Sequence, residues 1–237
     1  MEGRRRSAGW CTVAAVLFAA VSFGTGSLLA ATRSTVVGED AAEIRRVFEA
    51  YRTALASGAG QEAAALVDED TFSYFEQLKR LALEGGEDAV RSRPFVDRLL
   101  VVSMRQAVSR SELEGLELGG LMNKALSEGW ISPQTVAQLD IGEVEVDGDF
   151  ATATAVSLNP MVSFEEGDPM LYEFKREQGR WRFAFSSLVA SLNRLVEEFT
   201  AELGTDQDDL IFLLVQNLTG RPVLPEVWQQ PGGGSPP

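Results

Sequence analysis

The chain has 237 residues, 45% apolar and 24% charged, with 21 Lys and Arg against 35 Asp and Glu and no histidine. That mixture suits one large globular domain or two small ones and excludes a disordered acidic chain or a fibrous repeat. The missing imidazole excludes Ser–His and Cys–His nucleophile activation, the common zinc cages and any His proton shuttle, and a net charge of −14 argues against a nucleic-acid partner.

At the amino terminus, Arg4, Arg5 and Arg6 precede an uncharged stretch from Ser7 to Thr32 whose apolar core runs from Trp10 to Phe23. A bilayer core needs about 20 such residues, and flanking arginines hold their end in the cytoplasm. Residues 1–31 therefore read as a single-pass membrane anchor, inserted through 10–31, or as a cleaved signal peptide. The break Gly24-Thr25-Gly26-Ser27 shortens the apolar core to a signal-peptide length. Against cleavage, Leu28-x-Ala30 and Leu29-x-Ala31 put leucine where a small residue is wanted. Either reading exports the body: tethered to the inner or plasma membrane with its C-terminal part outside the cytoplasm, or secreted or periplasmic if cleaved. Without residues 1–31 the chain keeps 18 basic and 34 acidic side chains, a net −16. Cys11, the one cysteine, lies in this segment, so the fold rests on its core alone.

After a linker at 32–38, helical spacing dominates to residue 138. Asp40 with Glu43 resembles a capping box. Ile44, Val47, Phe48, Tyr51 and Leu55 form the apolar stripe of a first helix that Gly58 stops. A second helix is expected over 61–68. A third runs from Thr71 to Glu84, with Phe72, Phe75, Leu78, Leu81 and Ala82 inward, ending at Gly85-Gly86. Pro94 opens a fourth carrying Phe95, Leu99 and Val102. Shorter helices follow over 111–116, 121–128 and 133–138.

From Leu139 to Ser187 the period is two. Val144 and Val146 alternate with Glu143 and Glu145, and Asp147-Gly148 marks a hairpin. Phe150, Thr152, Thr154 and Val156 oppose Ala151, Ala153 and Ala155. Met170, Tyr172 and Phe174 share one face of the next strand, Gln178-Gly179 turns the chain, and Trp181, Phe183 and Phe185 share one face of the last. The pattern predicts an antiparallel meander of about four strands with one strongly apolar face, extended at Met161–Phe164. Helix returns over 188–203 and 208–218, and 220–237 reads as a flexible tail. The fold class is therefore α+β, helices packed on a curved meander and preceded by one N-terminal apolar helix.

The opening helix AAEIRRVFEAYRTALASG, the acidic turn ALVDED and the hairpin LYEFKREQGRWRFAF resemble the nuclear transport factor 2-like superfamily, a cone-shaped α+β roll that also houses ketosteroid isomerase and the small polyketide cyclases. The resemblance covers residues 39–187, with a helical insertion at 87–138, and implies a conical interior that holds a ligand, an acid–base site or the protein's own side chains. Ligand-binding candidates are Tyr51, Tyr74, Tyr172 and Trp181.

Carboxylate chemistry survives the lack of histidine, and Asp68, Asp70 and Asp97 are among the acids that could approach such an interior, yet none stands in a catalytic motif. A helix cap or a solvated turn is the better explanation of each. No spacing suggests a metal or any other cofactor. The sequence favours an exported, membrane-tethered, non-catalytic roll that binds a small apolar ligand or a protein partner. A carboxylate-dependent isomerase, cyclase or dehydratase is the alternative. The apolar helix Leu210, Ile211, Phe212, Leu213, Leu214, Val215 and Leu218 either docks on the roll or makes 188–219 a partner or homodimer contact.

Overall fold

The computed structural model describes residues 36–158 and 170–230. The N-terminal anchor or signal, most of the linker, the expected extension at Met161–Phe164 and residues 231–237 lie outside them. Helices come first: α1 (Val36–Ala56), α2 (Gly60–Ala64), α3 (Glu69–Glu84), α4 (Glu87–Arg91), α5 (Phe95–Ala107), α6 (Arg110–Gly115), α7 (Leu118–Ser127) and α8 (Pro133–Val136). A four-stranded antiparallel sheet follows in the order β1 (Leu139–Asp147), β2 (Phe150–Ser157), β3 (Leu171–Glu177), β4 (Arg180–Phe183). Then come α9 (Phe185–Leu203), α10 (Gln207–Thr219) and a 3-10 turn at Pro225–Trp228. The fold is α+β with an antiparallel meander, as expected.

The strand period decides what faces inward. Ala151, Ala153 and Ala155 of β2, Tyr172 and Phe174 of β3, and Trp181 and Phe183 of β4 are all buried. Phe150, Thr152, Thr154 and Val156 therefore take the outer face. Both hairpins are tight. Gly148 has φ +63°, and Gln178 and Gly179 have φ +50° and +76°, the left-handed values a two-residue hairpin demands. A register shift between Ile141 and Val144 bends β1. Arg45 of α1 fastens that bend, donating to the carbonyls of Ile141 at 3.0 Å and Gly142 at 2.5 Å.

Two apolar cores share the molecule. The first lies between the inner sheet face and Ile44, Phe48, Tyr51 and Leu55 of α1, closed by Ala63, Leu118, Met122 and Leu188. The second is all-helical: Leu78, Val90, Phe95, Val101, Met104, Ile211, Val215 and Trp228. Phe75 packs against both and joins them. Backbones come close where α2 meets α7: a Cβ on Gly60 would sit 2.5 Å from the Asn123 nitrogen, and one on Gly119 would sit 2.1 Å from Gln61 Oε1. Bulkier residues would push the two helices apart.

Several expectations shift. Helix α1 starts at Val36, so Asp40 lies within the helix rather than capping it. The helix expected over 61–68 closes at Ala64 because residues 65–68 turn to run beside β4, where Asp68 N donates to the Phe183 carbonyl at 3.1 Å. Phe72 is 36% exposed rather than inward; Thr71 takes the buried position beside Asp68. The expected tail at 220–237 is packed at its start, since Trp228 is 1% exposed and stacks on Phe212 with centroids 5.6 Å apart.

Candidate functional site

The region between α1 and the sheet is lined by rings. Ala151, Ala153 and Ala155 of β2 share one buried cluster with the aromatic side chains of β3, β4 and α1. Phe48 stacks on Tyr172 with centroids 5.2 Å apart and meets Phe183 edge-on at 5.9 Å. Tyr51 lies 4.9 Å from Phe183, and Tyr172 lies 5.7 Å from it. Phe174 adds a contact at 5.5 Å, and Phe185 and Phe75 continue the stack toward the helical core. Such offset and edge-on pairs each add stability beyond area burial. The heptad-like stripe of α1 sets this up: Ile44, Phe48, Tyr51 and Leu55 fall on one side of a 3.6-residue helix.

Of the four candidate ligand residues, Tyr51 and Tyr172 are brought together around Phe183. Both phenols are pushed above their ordinary pKa, chiefly by burial, Tyr51 also by the neighbouring Tyr172. The Tyr172 hydroxyl is buried and has no hydrogen-bond partner among the described residues. Trp181 is buried at the end of the inner face, and its indole donates to Asp40 Oδ1 at 3.1 Å. Arg176 covers it, the guanidinium 4.6 Å from the ring centroid and 2.6 Å from Asp40 Oδ2. Asp40 is held below the usual carboxylate range, first by the Trp181 hydrogen bond and then by Arg176, although its burial works the other way. Sequence reasoning missed this triad because Asp40 and Trp181 are 141 residues apart.

Tyr74 stands apart, on α3. Its hydroxyl donates to Asp97 Oδ1 at 2.8 Å, and Arg93 lies 3.2 Å from the other carboxylate oxygen. Burial and the Asp97 charge raise the Tyr74 phenol. A tyrosine and an acid do converge here, but among helices of the second core rather than beneath the sheet.

The other acids are spent on architecture. Asp68 caps α3, accepting from Thr71 N at 3.0 Å, and lies 3.4 Å from the Lys175 ammonium. Asp70 pairs with the same lysine. Among the described residues no group of three or more Cys, Asp or Glu side chains is placed to hold a metal ion, and no helix is long and apolar enough to cross a membrane. Asp68, the acid nearest Phe183 in the backbone, is fully buried, and its Oδ2 accepts no hydrogen bond among the described residues.

No family model, no curated protein and no solved structure matches the chain.

Proposed function

We propose that this is an exported, non-catalytic roll domain of the nuclear transport factor 2-like kind, whose conical interior is filled by its own aromatic side chains and which acts by binding a protein partner at its surface. The observation that carries the reading is the Phe48–Tyr172 stack, wedged by Phe183 and Tyr51, which occupies the space where a roll enzyme would seat a substrate. The commitment of Asp68, Asp70 and Asp97 to a cap and ion pairs supports the lack of acid–base work. Export and tethering through 10–31 rest on Arg4–Arg6 and the uncharged run after them.

A small apolar ligand is the second reading, favoured by one atom. The buried Tyr172 hydroxyl lacks a protein partner, and a ligand oxygen would satisfy it. The readings diverge on Tyr172→Phe. If the interior is self-filled, removing an unpaired buried hydroxyl leaves stability unchanged or raises it by about 1 kcal/mol. Native mass spectrometry of the full chain released from detergent micelles then shows the mass of the chain, or multiples of it, alone. An added small-molecule mass that disappears in Tyr172→Phe would overturn the self-filled reading in favour of the ligand.

A further inference from the structure

We propose that the edge of β1 takes up an extended segment of a protein partner as a further strand, and that this segment alternates basic and apolar residues. The inference deepens the partner-binding reading and rests on it. The two edges of the sheet are handled differently. Along β4 the chain closes its own edge: residues 65–68 run beside it, Phe183 N donating to the Leu66 carbonyl at 2.9 Å and Asp68 N to the Phe183 carbonyl at 3.1 Å. Along β1, α1 guards only the first half. Arg52 donates to the Leu139 carbonyl at 2.7 Å, and Arg45 donates to those of Ile141 and Gly142. The helix then crosses the sheet, and at Asp40 it has reached Trp181 of β4 and Arg176 of β3. Beyond Gly142 it no longer follows β1.

The backbone of that second half points the right way. The β1–β2 hairpin has a two-residue turn, so Asp147 and Phe150 form its closing hydrogen-bonded pair. Bonded and non-bonded pairs alternate from there. Glu145 turns its N–H and C=O toward Thr152, whereas Val144 and Val146 turn theirs outward. Among the described residues no backbone bond from another element reaches those outward groups. The side chains say which segment fits. Val144 and Val146 are half-buried, although the inward residues of β2, β3 and β4 are buried, and Glu143 and Glu145 on the other face are exposed. Residues directly opposite on neighbouring strands share a face. An added strand therefore meets the valines with apolar side chains and the glutamates with Lys or Arg, while its main chain bonds Val144 and Val146. A second copy of β1 does not fit. An antiparallel pair with its axis through Val144 sets Glu143 against Glu145, and an axis through Glu145 sets that residue against itself. Like charges directly opposite destabilise the pairing.

Amide hydrogen exchange, followed by NMR on the full chain in zwitterionic detergent micelles, tests the proposal. The probe is the hexapeptide Lys-Val-Lys-Val-Lys-Val at concentrations on the order of millimolar, with Glu-Val-Glu-Val-Glu-Val as its counterpart. The Val144 and Val146 amides exchange freely in the chain alone and slow when the lysine peptide is added. The Glu145 amide is slow throughout. Val146→Pro removes an outward donor without touching the ladder to β2, and the peptide's hold on the Val144 amide weakens about fivefold or more. Where proline costs the fold, the exposed pair Glu143→Lys with Glu145→Lys carries the test: it moves the preference from the lysine to the glutamate peptide by about tenfold or more. Val144 and Val146 amides already slow in the dilute chain alone mean that the chain fills its own edge. Slowing that grows with protein concentration alone means a second copy. Either result overturns the proposal, as do a lysine peptide without effect and a preference that survives the change of charge. Each of these leaves the partner-binding reading standing. That reading fails separately, on a bound small molecule in native mass spectrometry.

Discussion

At the residue scale, the polar side chains that matter are those joining distant parts of the chain. Asp40 ties α1 to β4 through Trp181 and to β3 through Arg176. Its carboxyl titrates below the ordinary carboxylate range in the folded protein, so the unfolded chain takes up the proton first as pH falls. The stabilisation is fully present above the ordinary carboxylate pKa. It is lost as pH drops from there through the lowered folded value. Asp40→Asn is expected to cost about 1–2 kcal/mol at neutral pH, since it removes the charge from two hydrogen-bonded contacts. Its denaturant-unfolding free energy then falls less than that of the wild type between pH 6 and pH 3 (roughly the span over which a carboxylate titrates). Parallel decline in the two proteins would show that Asp40 is not held as described. Little of this was legible in the sequence. Asp40 followed by Glu43 has the pattern of a helix start, and only the long-range pairing of β4 with the helix shows otherwise. Asp206 is the contrary case: its side chain accepts from the Asp208 and Asp209 amides at 2.8 and 3.1 Å, the cap that its position before an apolar run implies.

At the scale of elements, local pattern was informative wherever a segment is amphipathic. The stripe of α1, both hairpin turns and the strand alternation place their residues as the 3.6 and 2.0 periods require. It failed at the carboxy terminus, where proline and glycine pointed to a loose tail. Two side chains override that composition. Arg105 of α5, itself buried, donates to the Leu81, Ala82 and Gly85 carbonyls at the end of α3 and to the Val227, Trp228 and Gln229 carbonyls of the 3-10 segment. Burial pulls its pKa down to about 10, which still leaves it charged at neutral pH. The negative end of the α3 dipole takes the place of a counter-ion. Trp228, with Val223, Leu224 and Val227 just before it, was the available clue, an aromatic residue that a solvated tail has no use for. Arg105→Met should cost about 3 kcal/mol or more, because several buried carbonyls lose their donor together. Hydrogen exchange would show the Val227 and Gln229 amides, bonded within the 3-10 turn, losing protection ahead of those in α1. Uniform loss across the molecule would instead mean that the clamp is not local.

At the scale of the whole molecule, the two cores divide the labour. The helical core anchors the carboxy-terminal helices: Ile211 and Val215 of α10 are fully buried in it, while Leu213 and Leu218 of the same helix are exposed. The sheet core holds the aromatic packing. Sequence alone supplied the α+β class and the meander; of the four residues it grouped as ligand-binding, Tyr51, Tyr172 and Trp181 belong to the sheet core and Tyr74 packs against the helical one. The filling of the interior could not be read there, because it depends on three alanines of β2 and the rings of α1 and β4 meeting at one depth across more than a hundred residues.

On the proposed reading, the interior between α1 and the sheet is occupied by the protein itself. Dry apolar cavities take up xenon, so a crystal of the protein pressurised with xenon tests it directly. We expect no xenon within the ring cluster of Phe48, Tyr51, Tyr172 and Phe183. A well-occupied xenon site beside the Tyr172 hydroxyl would contradict the claim and turn the molecule into a ligand carrier.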